Sequence, residues 1–350
     1  MSITYVFTED YFDLNESVPF YVDPKTLLCE SKPLEVATAW TLFLILLAIF
    51  LLAVPGNLLV GWVISSSRQA LTPSDVYLFH LTVADGLMAL TLPFFAVALV
   101  QGWIFGDFLC KVLNLIIEAN FYTSIIFLAC ISIDRYLVIV HASETLHSRQ
   151  WMCSRLFCAS VWVLGWALAL PALFNEATKL DSERMTCTET FALGRATVWR
   201  LTSRALLHIF GFLVPLTVMI SCYSVTIARL LHTRGFQKHR AMRVIISVVI
   251  AFLLCWTPYH MTLVMDTLMR ANLISFECAG RRMVNMALVV TNSLALLHSC
   301  INPFLYAFVG EKFRKKMMLL FQRTLRHERL SMSKFSRSTS QTSEGIGTVL

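Results

Sequence analysis

The sequence predicts an all-α membrane protein, a bundle of seven transmembrane helices with a short amphipathic helix after the seventh. Of its 350 residues, 57% are hydrophobic and 15% are charged, whereas soluble domains carry about 25% charged residues. The stretch from Ala37 to Ile64 contains no charged residue, and about 20 such residues suffice to cross a bilayer as a helix. The chain is therefore expected to be solvated mainly by lipid.

Seven apolar segments are long enough to span the membrane. Because backbone polar groups in lipid need partners within the protein, helices are the expected structure for all seven. Their predicted bounds are Val36–Ser66, Ser74–Val100, Asp107–Val140, Trp151–Phe174, Trp199–His232, His239–Met269 and Met283–Val309. These bounds divide the chain into a tail (1–35), the bundle (36–309) and a final segment with the amphipathic helix (310–350). The opening residues, 1–9, lack the basic start and apolar core of a cleavable signal peptide.

The distribution of charge predicts the orientation of the bundle. Basic residues cluster in alternate loops, which the positive-inside rule assigns to the cytoplasm: Arg68, Arg149, Arg155, Arg229, Arg234, Lys238, Arg240, Arg243, Lys312, Arg314, Lys315 and Lys316. The N-terminal tail then lies outside the cell, and its first 37 residues carry seven acids against two lysines. The net charge of +7 is thus a cytoplasmic excess, and nucleic-acid binding is a poor interpretation of it.

The ten cysteines fall into two groups. Six lie within predicted helices and are interpreted as packing residues: Cys130, Cys153, Cys158, Cys222, Cys255 and Cys300. The other four, Cys29, Cys110, Cys187 and Cys278, lie outside or at outer helix ends. That compartment is oxidising and four is an even number, so two disulfides are expected, with three pairings open.

Asp85 is a carboxylate in the middle of the second segment. An acid at this depth is unfavourable in lipid and is a functional candidate by default. Other polar residues lie at comparable depth and could complete a pocket for a cation, namely Asn57, Asn120, Ser124, His298, Ser299 and Asn302. The alternative is a protonated Asp85 with hydrogen-bond partners.

Three local motifs lie at particular depths. Asp134-Arg135-Tyr136 ends the third segment, Trp256-Thr257-Pro258 interrupts the sixth, and Asn302-Pro303 precedes Tyr306 in the seventh. An arginine beside an acid can be restrained in one state and released in another, although an interfacial arginine extending to the membrane surface is common. The prolines indicate bends, which also occur without any function.

Taken together, these motifs resemble those of the rhodopsin-like receptors along the whole membrane region. One set falls in each helix, in order: Asn57, Asp85, Asp134-Arg135-Tyr136, Trp162, Pro215, Trp256-Thr257-Pro258 and Asn302-Pro303…Tyr306. The resemblance implies a receptor that activates a heterotrimeric G protein. It also implies that Arg135, Tyr223 and Tyr306 rearrange on activation. The cation expected in the polar pocket described above is an allosteric sodium ion, held by Asp85, Asn120, Ser124 and Asn302.

Further motifs resemble the chemokine receptors of the CXC class. Thr91-Leu92-Pro93, Trp103-Ile104-Phe105-Gly106 and His298-Ser299-Cys300 match that family, and the segment from Gln237 to Ile245 looks nearly identical to the inner loop of the interleukin-8 receptors. The resemblance implies a basic CXC chemokine as ligand, an inhibitory G protein and leukocyte chemotaxis. It also implies the disulfides Cys110–Cys187 and Cys29–Cys278.

The same resemblance suggests where a chemokine binds. The acidic tail would attract a basic ligand through Asp10, Asp13 and Asp23, with sulfation expected at Tyr11 and more weakly at Tyr21. Asn15 begins a glycosylation motif. In the bundle, Asp266 would meet an arginine of the ligand and nearby arginines would take its glutamate; the full set is Trp103, Arg200, Arg204, Asp266, Arg270, Arg282 and Asn292. Relatives usually carry Glu where Asn292 stands. A solvated tail without a partner and mutual pairing of the rim charges are the alternatives.

The sequence of the final segment predicts a contact with the membrane and a contact with arrestin. Phe313, Met317, Leu320 and Phe321 recur at helical spacing beside basic residues, which indicates a helix lying on the membrane. Beyond it, phosphates added by receptor kinases would create an arrestin-binding patch, with candidate sites at Ser336, Ser338, Thr339, Ser340, Thr342 and Ser343.

Three other classes are less well supported. A transporter predicts internal repeats and broken helices, and the chain shows no repeat. An enzyme predicts a catalytic motif such as His-Glu-x-x-His or Gly-x-Ser-x-Gly, and none is present in the sequence. An atypical scavenging chemokine receptor, which binds ligand without G-protein coupling, is disfavoured by the intact Asp134-Arg135-Tyr136.

Overall fold

The structure is a computed structural model. It describes residues 34–66, 71–141, 155–179, 184–190, 196–231, 236–271, 273–274, 277–309, 314–315, 317–319 and 322. Within helices it describes the backbone alone at 196–197, 230–231, 236–245, 248 and 306–309.

Seven helices in this part of the chain are long and apolar enough to cross a membrane, which confirms the predicted fold class. They are α1 (Val36–Ser65), α2 (Pro73–Gln101), α3 (Gly106–Val140), α4 (Arg155–Leu168), α5 (the consecutive segments Ala196–His208, Ile209–Leu213 and Val214–Leu231), α6 (Phe236–Arg270) and α7 (Cys278–Ala295 and His298–Val309). A 3₁₀ turn, Leu170–Phe174, follows α4.

The start of α2 shows how local sequence sets a helix boundary. The Thr72 hydroxyl accepts a hydrogen bond from the Asp75 N–H at 3.3 Å, and the Thr72 N–H donates to the Asp75 carboxylate at 3.0 Å. This reciprocal pair satisfies two backbone groups at the helix end. Pro73 occupies the first helical position, where its missing N–H has no consequence.

The predicted start of α7 at Met283 is wrong. The helix begins at Cys278, so Arg281 and Arg282 belong to it instead of to the preceding loop. Their charges interrupt the apolar run, which is why the sequence pattern placed the boundary five residues late. Arg281 is tolerated inside the helix because it pairs with Asp266 of α6 at 2.8 Å.

Large apolar side chains cover the outside of the bundle, as expected for a surface in contact with lipid. On α1, for example, Leu44, Leu51 and Leu58 are exposed, whereas Leu46, Ile49 and Val60 are buried against the other helices. With lipid as solvent, burial of apolar surface gives little preference for helix association, and close packing takes its place. One such contact joins Gly56 to Pro303 of α7, whose Cβ would lie 3.1 Å from a Cβ added to the glycine.

A hairpin closes the outer end of the bundle. Strands β1 (Asn175–Lys179) and β2 (Met185–Glu189) pair antiparallel, with Ala177 opposite Cys187. Cys187 forms a disulfide with Cys110 of α3, which attaches the hairpin to the bundle. At the end of α2, Gly102 has φ +83°, and an added Cβ would lie 3.0 Å from the Met185 carbonyl. A side chain there would conflict with both the backbone conformation and the hairpin.

Helix α5 contains a π-helical segment, Ile209–Leu213. Gly211 lies in this segment, and an added Cβ would be 2.5 Å from the ring of Phe121 on α3. The glycine therefore lets α5 approach α3 where its backbone widens. Pi segments recur at functional sites in helical proteins.

Helical backbone also follows α7. Residues 314–315, 317–319 and 322 are helical, and Met317 packs against the core. Phe313, Leu320 and Phe321 of the predicted amphipathic pattern lie outside the described residues.

The contact of α3 with α4 depends on Gly165. An added Cβ would overlap the Thr123 hydroxyl and lie 3.2 Å from the Ala119 carbonyl, and a carbonyl within a helix cannot rotate away. We expect Gly165→Ala to lower the stability of the receptor by about 1–3 kcal/mol, measured as a lower thermal inactivation midpoint in detergent. Gly280→Ala is the matched control, because nothing lies within 4 Å of its added Cβ. Equal midpoints for the two variants would contradict this account of the interface.

Candidate functional site

An ion-paired cluster lies at the outer ends of α6 and α7. The Asp266 carboxylate is only 1% exposed, and both of its oxygens accept hydrogen bonds from Arg270 Nε at 3.0 Å. Arg281 Nη1 lies 2.8 Å from Asp266 Oδ1. A carboxylate taken out of water needs such partners. An arginine of a ligand could therefore reach Asp266 only after one of these two pairs has opened.

A second ion pair joins α5 to the outer hairpin. Arg204 Nη2 donates to the Glu189 carboxylate of β2 at 3.2 Å. One turn further out, Arg200 of α5 and Arg270 of α6 line a shallow cleft with Leu201, Thr267 and Ala271. Two guanidinium groups at one cleft favour a carboxylate from outside the bundle.

The remaining predicted pocket residues have different surroundings. Arg282 and Asn292 are exposed on α7. Trp103 is buried, and its ring Nε1–H donates to the Gly106 carbonyl at 2.7 Å, while its backbone N–H donates to Met185 O. This placement favours a role for Trp103 in holding the outer loop and hairpin together over direct contact with a ligand.

Deeper in the bundle, Asp85 lies at the centre of a buried polar cluster. Its Oδ1 accepts from the Ser124 hydroxyl at 2.9 Å, and its Oδ2 accepts from the Asn302 amide at 2.8 Å. His298 Nε2 lies 3.3 Å from Oδ1. The cluster thus joins α2, α3 and α7 through one fully buried side chain. The sequence had placed all four residues at similar depth, and the structure brings them together.

The chemistry of this cluster fits a small hard cation. A carboxylate and a hydroxyl are oxygen ligands of the kind such ions prefer. The Asn57 Oδ1 and Asn120 Oδ1 atoms are buried and have no hydrogen-bond partner among the described residues. Their amide nitrogens are already used, Asn57 Nδ2 toward Ala53 O and Ser299 O, and Asn120 Nδ2 toward Ile116 O.

Aromatic contacts connect the polar cluster to α6. The Trp256 ring packs 4.2 Å from Phe121 of α3 and 5.3 Å from His298 of α7, centroid to centroid. Pro258 lies two residues further along α6 and interrupts its hydrogen-bond ladder. His298 therefore contacts both Asp85 and the aromatic residue beside the proline bend. A displacement of α6 at this level would alter the surroundings of the polar cluster.

At the cytoplasmic end, the motif residues of α3 take part in helix contacts. The Ser74 hydroxyl of α2 donates a hydrogen bond to Asp134, which is buried, while Arg135 is half-buried. Tyr136 OH lies 3.1 Å from His141 Nε2. The hydroxyl groups of Tyr223 on α5 and Ser132 on α3 form a hydrogen bond of 2.6 Å. Pro303 is inside α7, and only the backbone of Tyr306 is described.

Four contact residues were not predicted from the sequence. Arg281 was assigned to a loop, and Glu189, Ser74 and Ser132 belong to no recognised motif. A helix start at Cys278 would have revealed Arg281, since it places that residue on α7 beside α6. In each of the four contacts the two partners are 15 or more residues apart in the sequence. No local pattern therefore indicates the pairing.

Several predicted sites lie outside the described residues. They are Asp10, Tyr11, Asp13, Asn15, Tyr21, Asp23, Cys29, Ser336, Ser338, Thr339, Ser340, Thr342 and Ser343. The disulfide between Cys110 and Cys187 is present. Cys278 is also disulfide-bonded, but Cys29, its predicted partner, is not described, so that pairing stays a prediction.

Seven spanning helices, a polar cluster around Asp85 at mid-depth and an Asp-Arg-Tyr motif at the inner end together define a class of membrane receptor. The chain belongs to the 7 transmembrane receptor (rhodopsin family) group, whose sequence profile matches residues 56–306. Members are receptors and not enzymes, and this chain is a multi-pass protein of the plasma membrane.

Within that family the chain belongs to the C-X-C chemokine receptors. It is 46% identical to the Homo sapiens C-X-C chemokine receptor type 2 over 301 residues, which cover 86% of this chain and 82% of the human one. It is 49% identical to the Homo sapiens type 1 receptor over 268 residues, 76% of each chain. The Bos taurus type 2 receptor is 44% identical over 300 residues, 84% of this chain and 83% of the bovine one.

The stability of the receptor should depend on the ion pair between the buried Asp266 and Arg281. We expect Arg281→Ala to leave the carboxylate with one partner and lower stability by about 1–3 kcal/mol, seen as a lower thermal inactivation midpoint. Arg282→Ala, the adjacent exposed arginine, is the control and should change the midpoint little. Adding Asp266→Asn to Arg281→Ala should recover part of the loss. If Arg282→Ala were as destabilising as Arg281→Ala, the ion pair would not be the cause.

Proposed function

We propose that this protein binds basic, interleukin-8-like CXC chemokines outside the cell and activates a heterotrimeric G protein of the inhibitory class, driving leukocyte chemotaxis. The observation that carries the proposal is the arginine-lined outer cleft of a chain related to the C-X-C chemokine receptors. Membership of the C-X-C chemokine receptors does not by itself specify the ligand or the cellular response, and the proposal specifies both.

Recognition would proceed in two steps. The acidic N-terminal tail attracts a basic chemokine at long range and raises its association rate. The ligand's N-terminal segment then enters the bundle, and its glutamate binds between Arg200 and Arg270. Asp266 stays the proposed partner for an arginine of the ligand, which reaches it once Arg270 or Arg281 has released the carboxylate. Until then Asp266 orients Arg270 at the edge of the cleft.

Transmission to the cytoplasm would use the contacts between helices. A ligand at the outer ends of α5 and α6 shifts α6, whose Trp256 contacts both Phe121 and His298. The Tyr223–Ser132 bond and the Ser74–Asp134 bond at the inner end would then rearrange, so that Arg135 becomes available to a G-protein helix. After activation, receptor kinases would phosphorylate the C-terminal tail and arrestin would bind there.

A nucleotide-exchange assay tests this function. Membranes containing the receptor and purified heterotrimers should exchange nucleotide when a basic CXC chemokine is added, fastest with the inhibitory class. Arg135→Ala should reduce exchange to its ligand-free rate and leave surface binding unchanged, because Arg135 lies at the opposite end of the bundle from the cleft. Arg155→Ala, which removes an exposed basic residue at the inner side, is the control.

The outcome also separates the alternatives. Chemokine binding without exchange for any heterotrimer would refute G-protein activation and identify an atypical scavenging receptor. The absence of any chemokine binding would refute the proposed ligand class.

We also propose that the Asp85 cluster binds sodium in the inactive state. Sodium chloride should then raise the thermal unfolding midpoint relative to the same concentration of choline chloride, and should weaken agonist affinity, because the ion binds one state more tightly. Asp85→Asn should abolish both effects, and Asp107→Asn, which removes an exposed acid of α3, should retain them. Identical midpoints in sodium and choline would favour a protonated, cation-free Asp85.

A further inference from the structure

Two histidines join α5 and α6 below the outer cleft. His208 Nδ1 lies 2.9 Å from His260 Nδ1, and the ring centroids are 5.0 Å apart. His260 is 4% exposed and His208 is half-buried. Neither residue takes part in the ion pairs of the cleft or in the Asp85 cluster, so the proposed signalling route does not explain the pair.

A hydrogen bond between the two rings leaves the pair incompletely satisfied. A neutral imidazole carries one N–H and one lone pair. If one Nδ1–H donates to the other Nδ1, the donating ring presents a lone pair at Nε2 and the accepting ring presents an N–H at Nε2. Both Nε2 atoms are buried without a hydrogen-bond partner among the described residues. A metal ion between the Nδ1 atoms would leave both Nε2–H groups equally without partners, so these atoms mark the pair as unusual but do not select the ion.

The facing Nδ1 atoms lie about 0.5 Å closer together than a bridging metal ion requires. If both rings carry their proton on Nε2, two lone pairs point toward one another. Zinc binds imidazole nitrogen at about 2.0–2.1 Å with tetrahedral angles, which separates the two nitrogens by about 3.4 Å. This is about 0.5 Å more than the observed 2.9 Å, a change that small side-chain rotations supply.

The surroundings select the kind of ion. Phe212 stacks on the His260 ring at 4.4 Å, and Trp256 and Tyr259 pack at 6.3 and 5.8 Å. These aromatic walls pack against the His260 ring and offer no oxygen ligands of the kind that calcium or magnesium prefers. Imidazole nitrogen suits zinc, copper and nickel.

We propose that His208 and His260 form a binding site for zinc or a similar transition-metal ion that links α5 to α6. Among the described residues no group of three or more His, Cys, Asp or Glu side chains is placed to hold a metal, so water or an atom of a bound ligand completes the coordination. The link restrains the displacement of α6 relative to α5. On the proposed function, which this consequence presupposes, the bound ion opposes G-protein activation.

The first test measures metal binding without reference to signalling. The purified full-length receptor is heated in micromolar zinc chloride, in magnesium chloride and in chelator. Zinc should raise the unfolding midpoint by several degrees, and magnesium should not. His208→Gln and His260→Asn should each abolish the zinc shift, whereas His80→Gln, which alters a half-buried histidine on α2, should retain it. A zinc shift that persists in both site variants, or no shift in the unmodified receptor, would overturn the proposal.

A second measurement keeps the test decisive if a site variant does not fold. X-ray absorption at the zinc edge of the unmodified receptor should show two imidazole ligands, and a spectrum without imidazole would refute the site.

Nucleotide exchange then tests the consequence separately. Zinc should reduce chemokine-stimulated exchange in the unmodified receptor and in His80→Gln, but not in His208→Gln or His260→Asn. Zinc binding without any effect on exchange would refute the restraint on α6 while leaving the site intact. Failure of exchange in chelator would count against the proposed function and not against the metal site.

Discussion

The constraint on which this structure depends is that lipid offers no hydrogen bonds. A polar group inside the bundle must find its partner on another helix or on its own backbone, so the buried polar residues gather in a few clusters. Asp85 with Ser124 and Asn302, Asp134 with Ser74, Tyr223 with Ser132, and Asp266 with its arginines are examples. Each cluster joins at least two helices, and each therefore couples the position of one helix to that of another.

These clusters lie at successive depths, with aromatic rings between them. Trp256 is in contact with Phe121 and with His298, and His298 approaches Asp85. Because packed rings and buried hydrogen bonds have few alternative arrangements, a displacement at the outer end is expected to change the inner contacts in discrete steps. The outer hairpin is attached to α3 by the Cys110–Cys187 disulfide, and ion pairs join α5 to the hairpin and α6 to α7.

Much of this organisation could be predicted from the sequence, because lipid imposes a simple rule on helix length and composition. The bounds of α1, α2 and α3 agree with the apolar runs to within one residue. The rule fails where a charge lies inside a helix end, as with Arg281. The His208–His260 pair was also missed, since 52 positions separate two residues that belong to no motif. Pairings across helices depend on rotation about each axis, which composition does not report.

Rotation about the axis gives the π-helical segment of α5 its importance. A π turn contains about one residue more than an α turn, and each residue of an α-helix adds about 100° of rotation. If α5 were a continuous α-helix, the side chains on the outer side of Ile209–Leu213 would be rotated about the helix axis relative to those of the inner half. The facing of Arg200, Arg204 and His208 toward α6 and the hairpin is thus set by the length of the chain between two helix halves. Sequence change by insertion or deletion at this point would alter the charge lining the cleft without replacing any of its side chains.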